Sequence, residues 1–168
     1  MRIVLGTDGS EGARWASELL LALPFSPPVE ISVLSAVDVP EPAFTSLTPM
    51  ARRAYGQALA TMRREAEQVA LKAIETAAEA LEGRVTSLAT RLKQGSPATA
   101  LTEMAESLRA DVIAVGSRGL GPVKELLLGS VSHQVVRCAP CSVLIARGPV
   151  ERLQRILLGV DGSVHAAE

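Results

Sequence analysis

The chain has 168 residues and a net charge of −1, with 48% hydrophobic, 21% charged and only 2% aromatic residues. That is one domain's length, with a core of Ala, Val, Leu and Ile; the balanced charge and scarce aromatics exclude a base-stacking or polyanion-neutralising nucleic-acid binder. Asp8 breaks the first apolar run, no stretch reaches the ~18 apolar residues of a membrane helix, and two cysteines cannot staple a scaffold, so a cytoplasmic protein without a membrane partner is expected.

Residues 2–7 form a short β-branched apolar run that ends at Asp8-Gly9-Ser10, which reads as a buried strand and a tight turn. Ser10 is placed to cap a helix, with Glu11 in its first turn, and Pro24 limits that helix to about Ala22. Ser26-Pro27-Pro28 is a connection, and residues 29–37 are a second strand. Pro40, Pro42 and Pro49 mark a loop over 38–49. The Ala-, Glu- and Arg-rich run from Pro49 to Leu81 predicts a long helix stopped by Gly83. Residues 85–92 read as the third strand. Ser96 and Pro97 read as the cap and first position of a helix to about Arg109. A fourth strand covers 111–115, a glycine-rich stretch 116–129, a helix 130–137 and a fifth strand 142–146.

Strands alternating with helices imply a parallel sheet covered on both faces, joined by right-handed crossovers. The unbroken apolar run Val112-Ile113-Ala114-Val115 fits burial on both faces. In such sheets ligands bind beyond the carboxyl ends of the strands, where the strand order reverses. Here that means the ends at Thr7-Asp8, Ala36-Val37 and Val115-Gly116.

Residues 155–163, Arg-Ile-Leu-Leu-Gly-Val-Asp-Gly-Ser, repeat residues 2–10, Arg-Ile-Val-Leu-Gly-Thr-Asp-Gly-Ser, at all but two positions. Charged, glycine and serine positions match in register along with the apolar ones, which marks an internal repeat. The expected organisation is a domain over 1–147, then, over 148–168, a linker and the start of a second, truncated copy.

The candidate site starts from Gly116-Ser117-Arg118-Gly119, followed after nine residues by Gly129-Ser130. Glycines permit positive φ and close approach of backbone N–H groups to a ligand. A helix starting at Ser130 points free N–H groups and the positive end of its dipole outward, which suits phosphate. Arg118 and Lys124 add charge to the loop. The spacing is neither a P-loop nor a Gly-x-Gly-x-x-Gly dinucleotide fingerprint.

The strand ending in Thr7-Asp8-Gly9-Ser10, the spaced glycines leading to Gly129-Ser130-Val131, and Ala139-Pro140-Cys141-Ser142-Val143-Leu144-Ile145 together resemble the universal stress proteins over residues 1–147. The glycine motif is that of the family's ATP-binding branch. The resemblance implies a Rossmann-like α/β fold of the adenine nucleotide alpha hydrolase type, with a five-stranded parallel sheet of order 3-2-1-4-5. Carried over by position, it implies that Asp8 bonds the ribose hydroxyls and Thr7 flanks the nucleoside. The Ala36 backbone would meet the adenine edge and Val115 would pack beside the nucleoside. Gly116, Gly119, Gly129, Ser130 and Val131 would hold the phosphates, with Arg118 beside them. ATP with Mg²⁺ or Mn²⁺ is the implied cofactor. Ala36 stands where the family often has valine, and Ser142 where it often has proline. The resemblance further implies a homodimer through the fifth strand, or a pseudo-dimer with a second tandem domain.

Asp8 before Gly-Ser is also a common turn former and helix cap. Cys138-Ala139-Pro140-Cys141 has redox-motif spacing, but Cys138 falls late in a helix, the wrong end of the dipole for a reactive thiol, so both cysteines read as packing residues. His133 lacks a carboxylate or nucleophile spaced to work with it and reads as a surface or interface residue. The expected function is an ATP-binding, nucleotide-dependent stress-response sensor or regulator with slow or no hydrolysis. The alternative is a dimeric interaction module that binds no nucleotide.

Overall fold

A computed structural model of the chain describes residues 1–39, 48–120, 128–150 and 152–159. The elements in order are β1 (Arg2–Gly6), α1 (Glu11–Ala22), β2 (Glu30–Val37), α2 (Pro49–Leu81), β3 (Ser87–Gln94), α3 (Pro97–Leu108), β4 (Val112–Gly116), α4 (Ser130–Cys138) and β5 (Ser142–Ala146). All four strand pairings are parallel and the order is β3-β2-β1-β4-β5. The expected fold class is thus observed.

Alternation along the central strands sorts the core into two layers. Ile3 and Leu5 of β1, Val33 of β2 and Ala114 of β4 face α1 and α2, where they meet Leu19, Leu20, Ile74 and Leu81. Val4, Leu34, Ile113 and Val115 point the other way, onto Leu101, Met104 and Ala105 of α3 and Val135 of α4. Strands apolar on both faces belong between two helical layers, and Ile3, Val4 and Leu5 are at most 1% exposed.

Local chemistry sets most of the boundaries. Ser10 caps α1, its hydroxyl accepting the Ala13 N–H at 3.2 Å. Thr48 caps α2 in the same way through Ala51. Ser96 occupies the N-cap position of α3, but no side-chain cap bond forms there, so its predicted capping role is not seen.

β3 lies two residues further along the chain than predicted. Its placement is fixed by pairing, with Glu30 opposite Ser87 and Val37 opposite Gln94. Val85 instead packs against the α1–α2 core layer. β3 is an edge strand of half-buried and exposed residues, so its polar end, Arg91 to Gln94, carries little hydrophobic signal.

Candidate functional site

β1 lies between β2 and β4, and the chain leaves it on one side for β2 while β4 lies on the other. The strand order therefore reverses at the carboxyl ends of β1 and β4, which opens a crevice. A cavity of about 410 Å³ occupies it. Thr7, Asp8, Ala36, Val115, Gly116, Arg118, Gly119, Gly129, Ser130 and Val131, brought together from four separate stretches of sequence, all line it. Lys124 and residues 40–47 lie outside the described residues.

The cavity has two chemically distinct parts. Leu34, Ala36, Leu101, Val115 and Val131 supply aliphatic wall, with Pro97 at the start of α3. The β1–β2 ladder ends at Gly6 opposite Leu34, where the Thr7 N–H donates to the Leu34 carbonyl at 2.9 Å. β2 runs on to Val37 beside β3 alone, so the cavity borders Ala36 on the side where β1 has stopped. The other part is backbone: the turn after β4 and the first turn of α4. The first helical bond of α4 runs from the His133 N–H to the Gly129 carbonyl at 2.9 Å. The N–H groups of Ser130, Val131 and Ser132 precede it and have no acceptor within the helix. They and the helix dipole give this end of the cavity a positive potential.

Asp8 organises the crevice. One carboxylate oxygen accepts the Ser10 N–H at 3.0 Å, which makes the expected turn. The other accepts the Leu120 N–H at 3.1 Å, which ties the loop after β4 back to β1. A carboxylate has about four lone-pair positions, so these two bonds leave capacity for hydroxyl donors. Ser117 makes a second tie. Its carbonyl accepts the Gly129 N–H at 2.7 Å and the buried Ser132 hydroxyl at 2.9 Å, and its own N–H donates to the Ala146 carbonyl at 2.7 Å.

Of the two reasons expected for glycine in this loop, positive φ and close approach, positive φ is not seen at its described glycines. Among the described glycines positive φ occurs at Gly9, Gly83 and Gly95, and not at Gly116, Gly119 or Gly129. Close approach is the cause instead. A Cβ on Gly116 would strike the backbone of Gly12, and one on Gly119 would strike the Asp8 carboxylate. Gly129 has the extended backbone of an N-cap residue, and a Cβ there would meet its nearest neighbour, the Ser117 carbonyl oxygen, at 3.4 Å.

Sequence reasoning missed Gly12, Pro97, Leu101, Ser117 and Ser132. Gly12 carried a faint signal as a glycine in the first turn of a well-capped helix. The cysteine reading is corrected in part. Cys141 is half-buried against the α3–α4 layer, and burial, with Asp111 nearby, pushes its thiol pKa up. Cys138 is exposed at the end of α4 and does not pack. His133 is also exposed on α4. Among the described residues no cluster of three metal-binding side chains occurs, and no helix is long and apolar enough to cross a membrane.

These features define a doubly wound, Rossmann-like α/β domain with a ligand-sized crevice at its topological switch point. The model of the universal stress protein family matches residues 1–147, and the chain belongs to that family. It is 33% identical over 145 residues to a universal stress protein of Thermus aquaticus, covering 86% of this chain and 97% of that one. It is 30% identical over 146 residues to universal stress protein YxiE of Bacillus subtilis strain 168, covering 87% and 98%. Among solved structures, universal stress protein UspA from Lactobacillus plantarum superposes with a TM-score of 0.63 at 21% identity, covering 88% of this chain and 97% of that one. A universal stress protein in complex with cAMP gives 0.52 at 26% identity, covering 88% and 97%. A family member from Arabidopsis thaliana with AMP bound gives 0.59 at 17% identity, covering 90% and 94%.

Proposed function

We propose that the chain belongs to the ATP-binding branch of its family and is a nucleotide-dependent regulator of the stress response, with slow or no hydrolysis. The observation that carries this reading is the two-part cavity, aliphatic at one end and rich in backbone N–H groups at the other. Its volume, about 410 Å³, lies within the ~300–1,000 Å³ range of small-molecule sites. In this reading the adenine ring lies between Ala36, Val115 and Leu101, with the ribose at Asp8. The phosphates lie against Gly116 to Gly119 and the first turn of α4, where Ser130 adds a hydroxyl and Arg118 a positive charge. Similarity to proteins solved with cAMP and AMP supports an adenine nucleotide as the ligand class.

The donors at the phosphate end suit an anion and not a bare metal ion. They are N–H groups and a hydroxyl, with Asp8 as the nearby carboxylate. Mg²⁺ or Mn²⁺ would therefore be held chiefly by phosphate oxygens and water, with Ser130 and Asp8 as the protein oxygens at hand. The ion would offset the phosphate charge.

β5 ends one side of the sheet, with Val143, Leu144 and Ile145 half-buried. A homodimer pairing through β5 would cover this edge.

Comparative binding of ATP, ADP, AMP and cAMP tests the proposal. Preference for ATP, with turnover below about one per minute, supports a sensor. Equal affinity for all four, or for none, contradicts the assignment to the ATP branch.

A further inference from the structure

Residues 152–159 lie in neither helix nor strand and every one is exposed. Within them Ile156, Leu157 and Leu158 are 84%, 98% and 78% exposed. Three consecutive aliphatic side chains in water are an unfavourable arrangement for a finished surface. Their counterparts in the repeat are Ile3, Val4 and Leu5, which are 1%, 0% and 0% exposed in β1. β1 is paired on both edges, with β2 and with β4, and is covered on both faces by the two core layers. The same side-chain pattern therefore occurs twice: once with four neighbours and once exposed, in neither helix nor strand, among the described residues.

We infer that residues 155–159 are the central strand of a second domain of this same fold, carried by the same polypeptide. The pattern rules out simpler placements. An edge strand with one face to water alternates apolar and polar residues, whereas Ile156-Leu157-Leu158 is apolar on both faces. The open edge of β5 offers pairing on one side only. The slot between β2 and β4 of this domain is already filled by β1. What fits the segment is another slot of that kind, between parallel neighbours and between two helical layers. The connection from Ala146 to Arg155 is short, so the second domain would sit directly beside β5. A solved universal stress protein from Archaeoglobus fulgidus shows that the fold occurs within longer chains: it superposes with a TM-score of 0.55 over 90% of this chain and only 45% of its own.

The test compares the 168-residue chain with the native polypeptide purified from its source organism. Mass spectrometry of the native protein should find a tryptic peptide that begins at Ile156 and continues past Glu168. Amides of 156–159 should exchange within seconds in the 168-residue chain, and as slowly as those of β1 in the native protein. Leu157→Asp should leave the melting temperature of the 168-residue chain unchanged and abolish one unfolding transition of the native protein. Three results would overturn the inference. One is a native chain that ends at Glu168. Another is a silent Leu157→Asp in the native protein. The last is slow exchange of these amides in the 168-residue chain, which would place the segment on β5 or on a second copy instead.

Discussion

The carboxylate of Asp8 accepts the backbone N–H of Leu120 at 3.1 Å, across 112 residues of sequence. This bond holds the loop after β4 against the end of β1 and fixes one wall of the crevice. Asp8 is thus a turn former, a loop anchor and the candidate ribose ligand together. Asp8→Ala should weaken ATP binding roughly 10- to 100-fold, the loss of one or two bonds to a charged acceptor. It should also destabilise the domain by about 1 kcal/mol. Asp8→Asn can keep only one of the two bonds from Ser10 and Leu120, because its NH2 would face the other N–H, so it should lose stability as well as affinity, though less stability than Asp8→Ala. Calorimetric binding and thermal melts on both variants separate the two roles.

The glycines divide into those the fold needs and those the site needs. Gly116→Ala and Gly12→Ala each drive a methyl group into backbone, at Gly12 and at the Arg118 carbonyl respectively. Each should cost about 1–3 kcal/mol, as overpacking of rigid surroundings does. Gly119→Ala meets the Asp8 carboxylate and should displace it, with loss of binding and, through the disturbed Asp8 bonds, about 1 kcal/mol of stability. Gly129→Ala meets its nearest neighbour at 3.4 Å and should be tolerated in fold. Denaturant melts across the four variants check the ranking.

Ser132 lines the cavity and positions its phosphate end through a hydroxyl turned to backbone carbonyls. Its buried hydroxyl lies 2.9 Å from the Ser117 carbonyl and 3.1 Å from that of Gly129. Ser132→Ala should cost about 1 kcal/mol of stability and loosen the first turn of α4. If the β- and γ-phosphates lie against that turn, as proposed, ATP affinity should fall while AMP affinity changes less. Parallel titrations of the two nucleotides read the difference.

The two cysteines should react at different rates. Cys138 is exposed, while Cys141 is half-buried with its pKa raised by burial and by Asp111. Since the thiolate is the nucleophile, Cys138 should be alkylated roughly tenfold faster near pH 8. The raised pKa also has a sign in stability. The folded state holds the Cys141 proton more tightly than the unfolded chain does. This contribution is intact below the unfolded thiol pKa and is lost as pH rises through the folded value. In melts across pH, the stability difference between wild type and Cys141→Ser should therefore be constant below the thiol range, and wild type should lose stability relative to the variant as pH rises through it.

The layers were legible in the sequence because the cores of β1 and β4 are apolar without interruption and each of the first four strands is followed by a helical pattern. The strand order was not written in that periodicity; it came with the resemblance carried by Asp8 and the spaced glycines. β3 slipped by two residues because an edge strand is placed by its partner β2, and hydrophobicity says little about it. The ten predicted site residues share one cavity because they lie at strand ends or in the loops next to them, where turn chemistry is local. Leu101 and Pro97 escaped notice since their contribution depends on how α3 docks, and Leu101 in sequence is an ordinary core position of a helix. The role of Gly116 was equally hidden, because it depends on Gly12, which lies more than a hundred residues away.

The most direct test of the nucleotide site is calorimetric titration of Mg–ATP into nucleotide-stripped protein, with Gly129→Lys as the control. Gly129 lines the cavity and has no positive φ, so the lysine should fill the phosphate end while the fold survives, as an unchanged melt would verify. The expected result is one ATP per cavity at micromolar affinity, absent in Gly129→Lys. No binding heat, together with no nucleotide released when the protein as purified is denatured, would contradict the ATP reading and leave a dimeric interaction module as the better description.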